Sequence, residues 1–144
     1  MAPLQKRSLY SLVTGLVFAL ALVVVFITRD ITTFNEDIGF RITVYALWIA
    51  VPLAYLIIVQ LTLRKPEQID ERDKLIIVKA SKTQYMAVLF SLVAWVIALT
   101  EVFWDQGQVP VIYLTLIMIS TLIISTIAQS LGILIGYWRM EANG

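Results

Sequence analysis

The stretch Ser8–Thr28, SLYSLVTGLVFALALVVVFIT, decides the fold because it carries no charged side chain over a length that can cross a bilayer. A helix needs roughly 20 predominantly apolar residues to cross the hydrocarbon core. Three further stretches of this kind follow, at about 42–63, 84–103 and 109–138. None shows the regular alternation of a membrane β-barrel strand. The sequence therefore predicts an all-α integral membrane four-helix bundle, with residues 1–144 forming one four-span domain.

The composition agrees with a membrane protein and limits its chemistry. Hydrophobic residues make up 60% of the chain and charged residues 15%, whereas soluble domains average about 45–50% and about 25%. Without Cys or His, the chain offers no thiolate nucleophile, zinc–thiolate site or histidine-ligated haem. No phosphate-binding glycine loop or nucleophile elbow occurs. We therefore expect a non-catalytic protein with no cofactor and no metal.

The basic residues are segregated, and this predicts the orientation. Nine of the eleven Lys and Arg residues lie at span ends on one side, and only Arg29 and Arg41 lie on the other. Because cytoplasmic loops are enriched in Lys and Arg, we predict that both termini and the loop 64–83 are cytoplasmic. The protein is then a multi-pass protein of the cell inner (plasma) membrane. Since topology accounts for the few basic residues, we expect no nucleic-acid partner. The acidic residues on the other side match no calcium-binding loop, and we expect a solvated surface there.

Small and polar residues within the spans predict how the helices pack. Helices associate in lipid through close backbone approach at small residues and through side-chain hydrogen bonds. Gln60 and Gln129 are candidate intramembrane polar residues, expected either to hydrogen-bond between helices or to line a path for a solute. The Gly132/Gly136 pair leaves open packing within one chain or a homo-oligomer. The candidate helix-packing residues are Gly15, Ala19, Ala50, Ala54, Ala128, Gly132 and Gly136.

The densest cluster of charge lies between the second and third spans. Asp70 is expected to cap a helix, because carboxylates near a helix start complement its free N–H groups. No Gly or Pro occurs between Asp70 and Trp104, so we expect a long third helix that extends into the cytoplasmic loop. The charged residues predict contact with membrane lipids or with a membrane or cytoplasmic protein partner. They are Asp70, Glu71, Arg72, Asp73, Lys74, Lys79 and Lys82.

The motif Asp70-Glu71-Arg72, with Ile76 after it and Lys79-Ala80-Ser81 before an apolar span, resembles a family of small bacterial and archaeal four-span membrane proteins. This uncharacterised family has a D-E-R-x-x-x-I-type motif in its central cytoplasmic loop. The resemblance implies membership and a four-span fold. It carries over no catalytic residues.

Two functions remain open at the level of sequence. The lack of catalytic motifs, the short outer loops and the single charged inner loop favour an accessory, scaffold or regulatory component that acts through the loop 64–83. The alternative is an oligomeric small-solute transporter or channel. Its polar path would pass Gln60, Thr126 and Gln129.

Overall fold

The computed structural model describes residues 2–62 and 69–142, and most of these residues are helical. All four helices are long and apolar enough to cross a membrane, and the described ranges contain no strand. The predicted all-α, four-span architecture is thereby confirmed. The helices are α1 (Pro3–Thr28), α2 (Ile38–Thr62), α3 (Glu71–Phe103) and α4 (Ile112–Ala142), with a short 3-10 helix (Ile31–Asn35) between α1 and α2.

The helices differ from the predicted spans mainly at their ends. α3 begins at Glu71, so residues 71–83 of the predicted loop form the first part of this helix, as the absence of Gly and Pro indicates. Residues 64–68 of that loop lie outside the described residues. α4 begins at Ile112 and not at 109, because Pro110 lies in a turn in which its carbonyl accepts a hydrogen bond from the Tyr113 N–H.

α4 lies at the centre of the bundle. It packs along α3 on one side and along α1 on the other, and α1 in turn packs against α2. α2 meets α4 over a shorter length, whereas α2 and α3 scarcely approach each other. The bundle is therefore open between α2 and α3, and α3 depends on α4 for its packing.

Two clusters of buried side chains hold the helices together, one at each end. The smaller cluster joins Leu4 of α1, Ile76 and Ala80 of α3, and Ile133 of α4. Both ends of the chain and the start of α3 therefore lie at the same end of the molecule. The assignment of that end to the cytoplasm stays a prediction from the basic residues. The larger cluster comprises Phe34, Phe40, Val44, Val51, Ile112, Ile119 and Ile123.

Polar side chains fix the connection between α1 and α2 at the opposite end. Asp30 caps the 3-10 helix, and the hydrogen bond from the backbone N–H of Thr32 lowers the pKa of the Asp30 carboxyl. Asp37 pairs with Arg29 at 2.7 Å and accepts a hydrogen bond from the Phe40 N–H at 3.0 Å. Two of the acidic residues on this side thus act in local structure. The described residues include no group of three or more potential metal ligands.

Candidate functional site

The charged segment that the sequence marks as a contact surface lies where α3 packs against α4, at the end of the bundle where Leu4 of α1 joins the same buried cluster. Residues 71–83 of α3 pack against residues 130–142 of α4, and we call these two segments the stem. α3 has 33 residues and is therefore about 50 Å long, whereas the hydrocarbon core of a bilayer is roughly 30 Å thick. The stem accounts for this excess length.

Two aspartates at the start of α3 have structural roles. Asp70 accepts a hydrogen bond from the Asp73 N–H at 2.7 Å, so it is the N-cap that the sequence predicts. Asp73 is only 5% exposed, and its Oδ1 accepts a hydrogen bond from the Tyr137 hydroxyl of α4. Asp73 thus departs from the predicted contact surface. It lies on the same helix face as Ile76 and Ala80, and this face is turned toward α4.

Two glycines of α4 allow α3 to approach closely. A Cβ atom added to Gly132 would lie 3.0 Å from both Cα and Cβ of Ala80. One added to Gly136 would lie 2.8 Å from Cγ2 of Ile76. The Gly132/Gly136 surface is therefore occupied by α3 of the same chain, so a homodimer cannot use it without displacing α3.

The other small residues predicted to pack differ in how closely a neighbouring helix approaches them. A Cβ on Gly15 would lie 2.8 Å from Cγ1 of Ile127, so α1 approaches α4 closely there. Ala19 packs against the larger buried cluster. The remaining positions, Ala50, Ala54 and Ala128, are half-buried.

The outward face of the stem is exposed and combines basic with apolar side chains. Leu75 is 61% exposed and Val78 is 68% exposed. At 100° per residue they share a stripe with Lys82, opposite the face that contacts α4. The other exposed charged residues of this segment are Glu71, Arg72, Lys74 and Lys79.

A polar groove lies where α2 and α3 stand apart. It has a volume of about 240 Å³, and α4 forms its floor. Gln84 Nε2 of α3 donates a hydrogen bond to Ser125 Oγ of α4 at 2.6 Å. The Tyr55 hydroxyl of α2 donates to Gln129 Oε1 of α4 at 3.3 Å. Gln129 therefore makes an interhelical hydrogen bond, the simpler of its two predicted roles. Thr126 also lines the groove.

Arg7 links α1 to this network. Its guanidinium donates to the Tyr55 hydroxyl at 2.6 Å and lies 5.6 Å from the centre of the Tyr55 ring. The Tyr55 hydroxyl thus lies between a cation and the Gln129 amide. Gln60 is exposed on α2 and does not line the groove.

Sequence reasoning missed several residues of these two regions. In the sequence, Gln84 is only the first residue of the third span, and Arg7 is only one of the basic residues that predict the orientation. Neither is predicted to form a hydrogen bond. Tyr137 reads as an aromatic at the membrane interface, a position that tyrosine favours for its own sake. Gln84 and Tyr137 show only a polar side chain near a span end, and Tyr55 only a polar aromatic within a span. Neither signal identifies their partners.

Tyr55→Phe is expected to lower the free energy of unfolding by about 1–2 kcal/mol, because it removes the hydroxyl that joins Arg7 to Gln129 and keeps the ring. Tyr45→Phe is the matched control, since Tyr45 is 52% exposed on the same helix. Its effect should stay within about 0.5 kcal/mol. Reversible unfolding in mixed detergent micelles measures both, and equal effects would contradict a role for the network.

No protein-family model, curated protein or solved structure matches this chain. The resemblance carried by Asp70-Glu71-Arg72 and Ile76 stays a prediction. Within the stem, Asp70 caps α3 and Ile76 is buried beside Gly136. Part of the motif therefore has a local structural role in this chain.

Proposed function

We propose that the protein is a non-catalytic accessory or scaffold component of the cell inner membrane, which binds a protein partner through the outward face of its stem. The observation that carries this proposal is the asymmetry of the stem. Asp73, Ile76 and Ala80 fix one face of α3 to α4. The opposite face leaves Leu75 and Val78 exposed among basic residues. A fixed helix with one free amphipathic face suits the binding of another protein.

The position of the apolar pair favours a protein over lipid as the contact. α3 is unbroken from Glu71 to Phe103, so the stem continues along the axis of the spanning helix and does not lie flat on the bilayer. Lys82 is the last charged residue before the apolar part of α3, and Leu75 lies about 10 Å beyond it. Basic residues at head-group depth attract anionic lipids. Leu75 and Val78 lie farther than Lys82 from the apolar part of α3, and this favours a protein as the source of the apolar surface that covers them.

Photo-crosslinking in native membranes tests this function. A photoreactive amino acid at position 75 or 78 is expected to trap the same single protein. Gln106, exposed in the loop before α4, is the control position at the other end of the molecule and should not trap that protein. The double substitution of Lys79 and Lys82 by glutamate should lower the yield at position 78 at least fivefold. Crosslinks to lipid alone at the stem positions would contradict the proposal.

The alternative function, an oligomeric transporter or channel, draws its support from the polar groove. Thr126 and Gln129 of the predicted path line this groove, whereas Gln60 does not. The groove opens sideways and has α4 as its floor, so a continuous path needs a second copy of the chain. If this function is right, the protein reconstituted in vesicles conducts a solute. Gln129→Leu should abolish that flux, and Gln60→Leu should leave it unchanged.

A further inference from the structure

The polar groove between α2 and α3 runs from Gln84 and Gln129 at its stem end to Val51 and Pro52 near the middle of α2. Its stem end is where we expect lipid head groups to meet hydrocarbon. Gln84 follows just after Lys82, and no charged residue occurs from there to Glu101. It lies about 20 Å along α3 from Glu71, which places it at the base of the stem. Because α2 and α3 scarcely approach each other, the groove is open to the leaflet on the stem side.

The groove contains more hydrogen-bond donors than its own acceptors use. Gln129 Oε1 accepts from Tyr55, and within the described residues the two N–H groups of Gln129 Nε2 make no hydrogen bond. Ser125 Oγ accepts from Gln84 Nε2, so the Ser125 O–H and the second N–H of Gln84 are available to donate. Donors that face hydrocarbon cost free energy unless an acceptor meets them. The groove therefore calls for an acceptor-rich ligand.

A positive charge next to the groove indicates that the ligand is anionic. Arg7 donates to the hydroxyl of Tyr55, which lines the groove, and its guanidinium has further N–H donors. Guanidinium and amide donors together match phosphate oxygens. The volume of about 240 Å³ lies below the roughly 300–1,000 Å³ of pockets that hold drug-sized molecules. It suits one head group whose acyl chains remain outside in the bilayer.

We propose that the groove binds one phospholipid, whose phosphate oxygens accept hydrogen bonds from Gln84, Ser125 and Gln129 beside the Arg7 guanidinium. A transmembrane helix of a partner fits less well, because the carbonyl groups of a helix are already bonded within it. The acyl chains extend along the exposed apolar surfaces of α2 and α3, where Leu53 and Leu89 are examples. This site is separate from the outward face of the stem and does not depend on the partner proposed for it.

Native mass spectrometry of the full chain tests this site. The protein is purified in a detergent without phosphate and titrated with dioleoyl phosphatidylglycerol, or with dioleoylglycerol, which has the same chains and no phosphate. One phospholipid per chain is expected to be retained, and dioleoylglycerol is expected to bind at least tenfold more weakly. Gln129→Leu should weaken phospholipid binding about tenfold, the effect of losing hydrogen bonds to a charged group.

Gln60→Leu is the matched control, since it makes the same change on exposed α2 surface and should leave binding unchanged. Gln84→Leu is a second groove variant, expected to act like Gln129→Leu, and it decides the question if Gln129→Leu does not fold. Unchanged helical content and elution volume show that a variant is folded. Equal retention of the two lipids would overturn the proposal. Folded groove variants that bind phospholipid as tightly as the wild type would overturn it as well.

Discussion

Ala80→Leu is expected to lower the free energy of unfolding by about 3 kcal/mol and to force the stem helices apart. Ala80 is 1% exposed, and its Cα and Cβ lie 3.0 Å from the position of a Cβ on Gly132. Gly132 has no side chain, so the atoms of α4 next to Ala80 at this point belong to the backbone and have no flexible tip that could move aside. The larger side chain therefore also disturbs the contacts of Ile76 and Asp73 with α4.

The matched control for this change is Ala98→Leu, the same substitution on the same helix. Ala98 is exposed, so the added atoms meet no neighbouring helix of the chain. Its effect is expected to stay within about 0.5 kcal/mol. Reversible unfolding in mixed micelles compares the two variants directly. Equal destabilisation would show that the close approach at Ala80 and Gly132 does not hold α3 on α4.

The four helices follow from the sequence because hydropathy is a local property of each segment. The inward face of the stem follows in part from local information too, since Ile76 and Ala80 share one helix face and Lys82 lies on the opposite side by helical period. The burial of Asp73 does not follow from it. An aspartate among charged residues is expected to be exposed. The partner of Asp73, Tyr137, lies 64 positions away in the sequence.

The spacing of small residues in α4 likewise does not identify a distant partner. Gly132 and Gly136 predict close packing on one face, but spacing within one helix does not say which helix packs there. Only the assembled bundle shows that α3 of the same chain occupies this face. Trp95 is a parallel case, because its Nε1 donates to Ser120 Oγ of α4 at 2.9 Å, a contact that its mid-span position alone does not specify.

The polar groove was harder to predict, because its residues come from three helices and the gap that creates it is a property of the bundle. Both Gln129 and Gln60 were candidate intramembrane polar residues, because each lies within a predicted span. The structure separates them by side-chain direction, since Gln129 faces the groove and Gln60 is exposed on α2. Side-chain direction depends on how each helix is rotated against its neighbours. Hydropathy does not determine this rotation when a helix is apolar on all sides.

Tyr137→Phe is expected to lower the free energy of unfolding by about 2 kcal/mol, because it removes the hydroxyl that donates to the buried carboxylate of Asp73. Tyr85→Phe is the matched control, since Tyr85 is 61% exposed on α3, and it should have almost no effect. Unfolding in mixed micelles measures both changes.

A double-mutant cycle with Asp73→Ala separates this contact from other effects of the substitutions. If the hydroxyl and the carboxylate act on each other, the double variant costs at least about 1 kcal/mol less than the sum of the single variants. A strictly additive result would place the effect elsewhere. The contact also bears on function, because it fixes the first turn of α3, next to Leu75. Tyr137→Phe should therefore lower the crosslinking yield at position 75 more than at position 82, where packing of Ala80 on Gly132 still holds the helix.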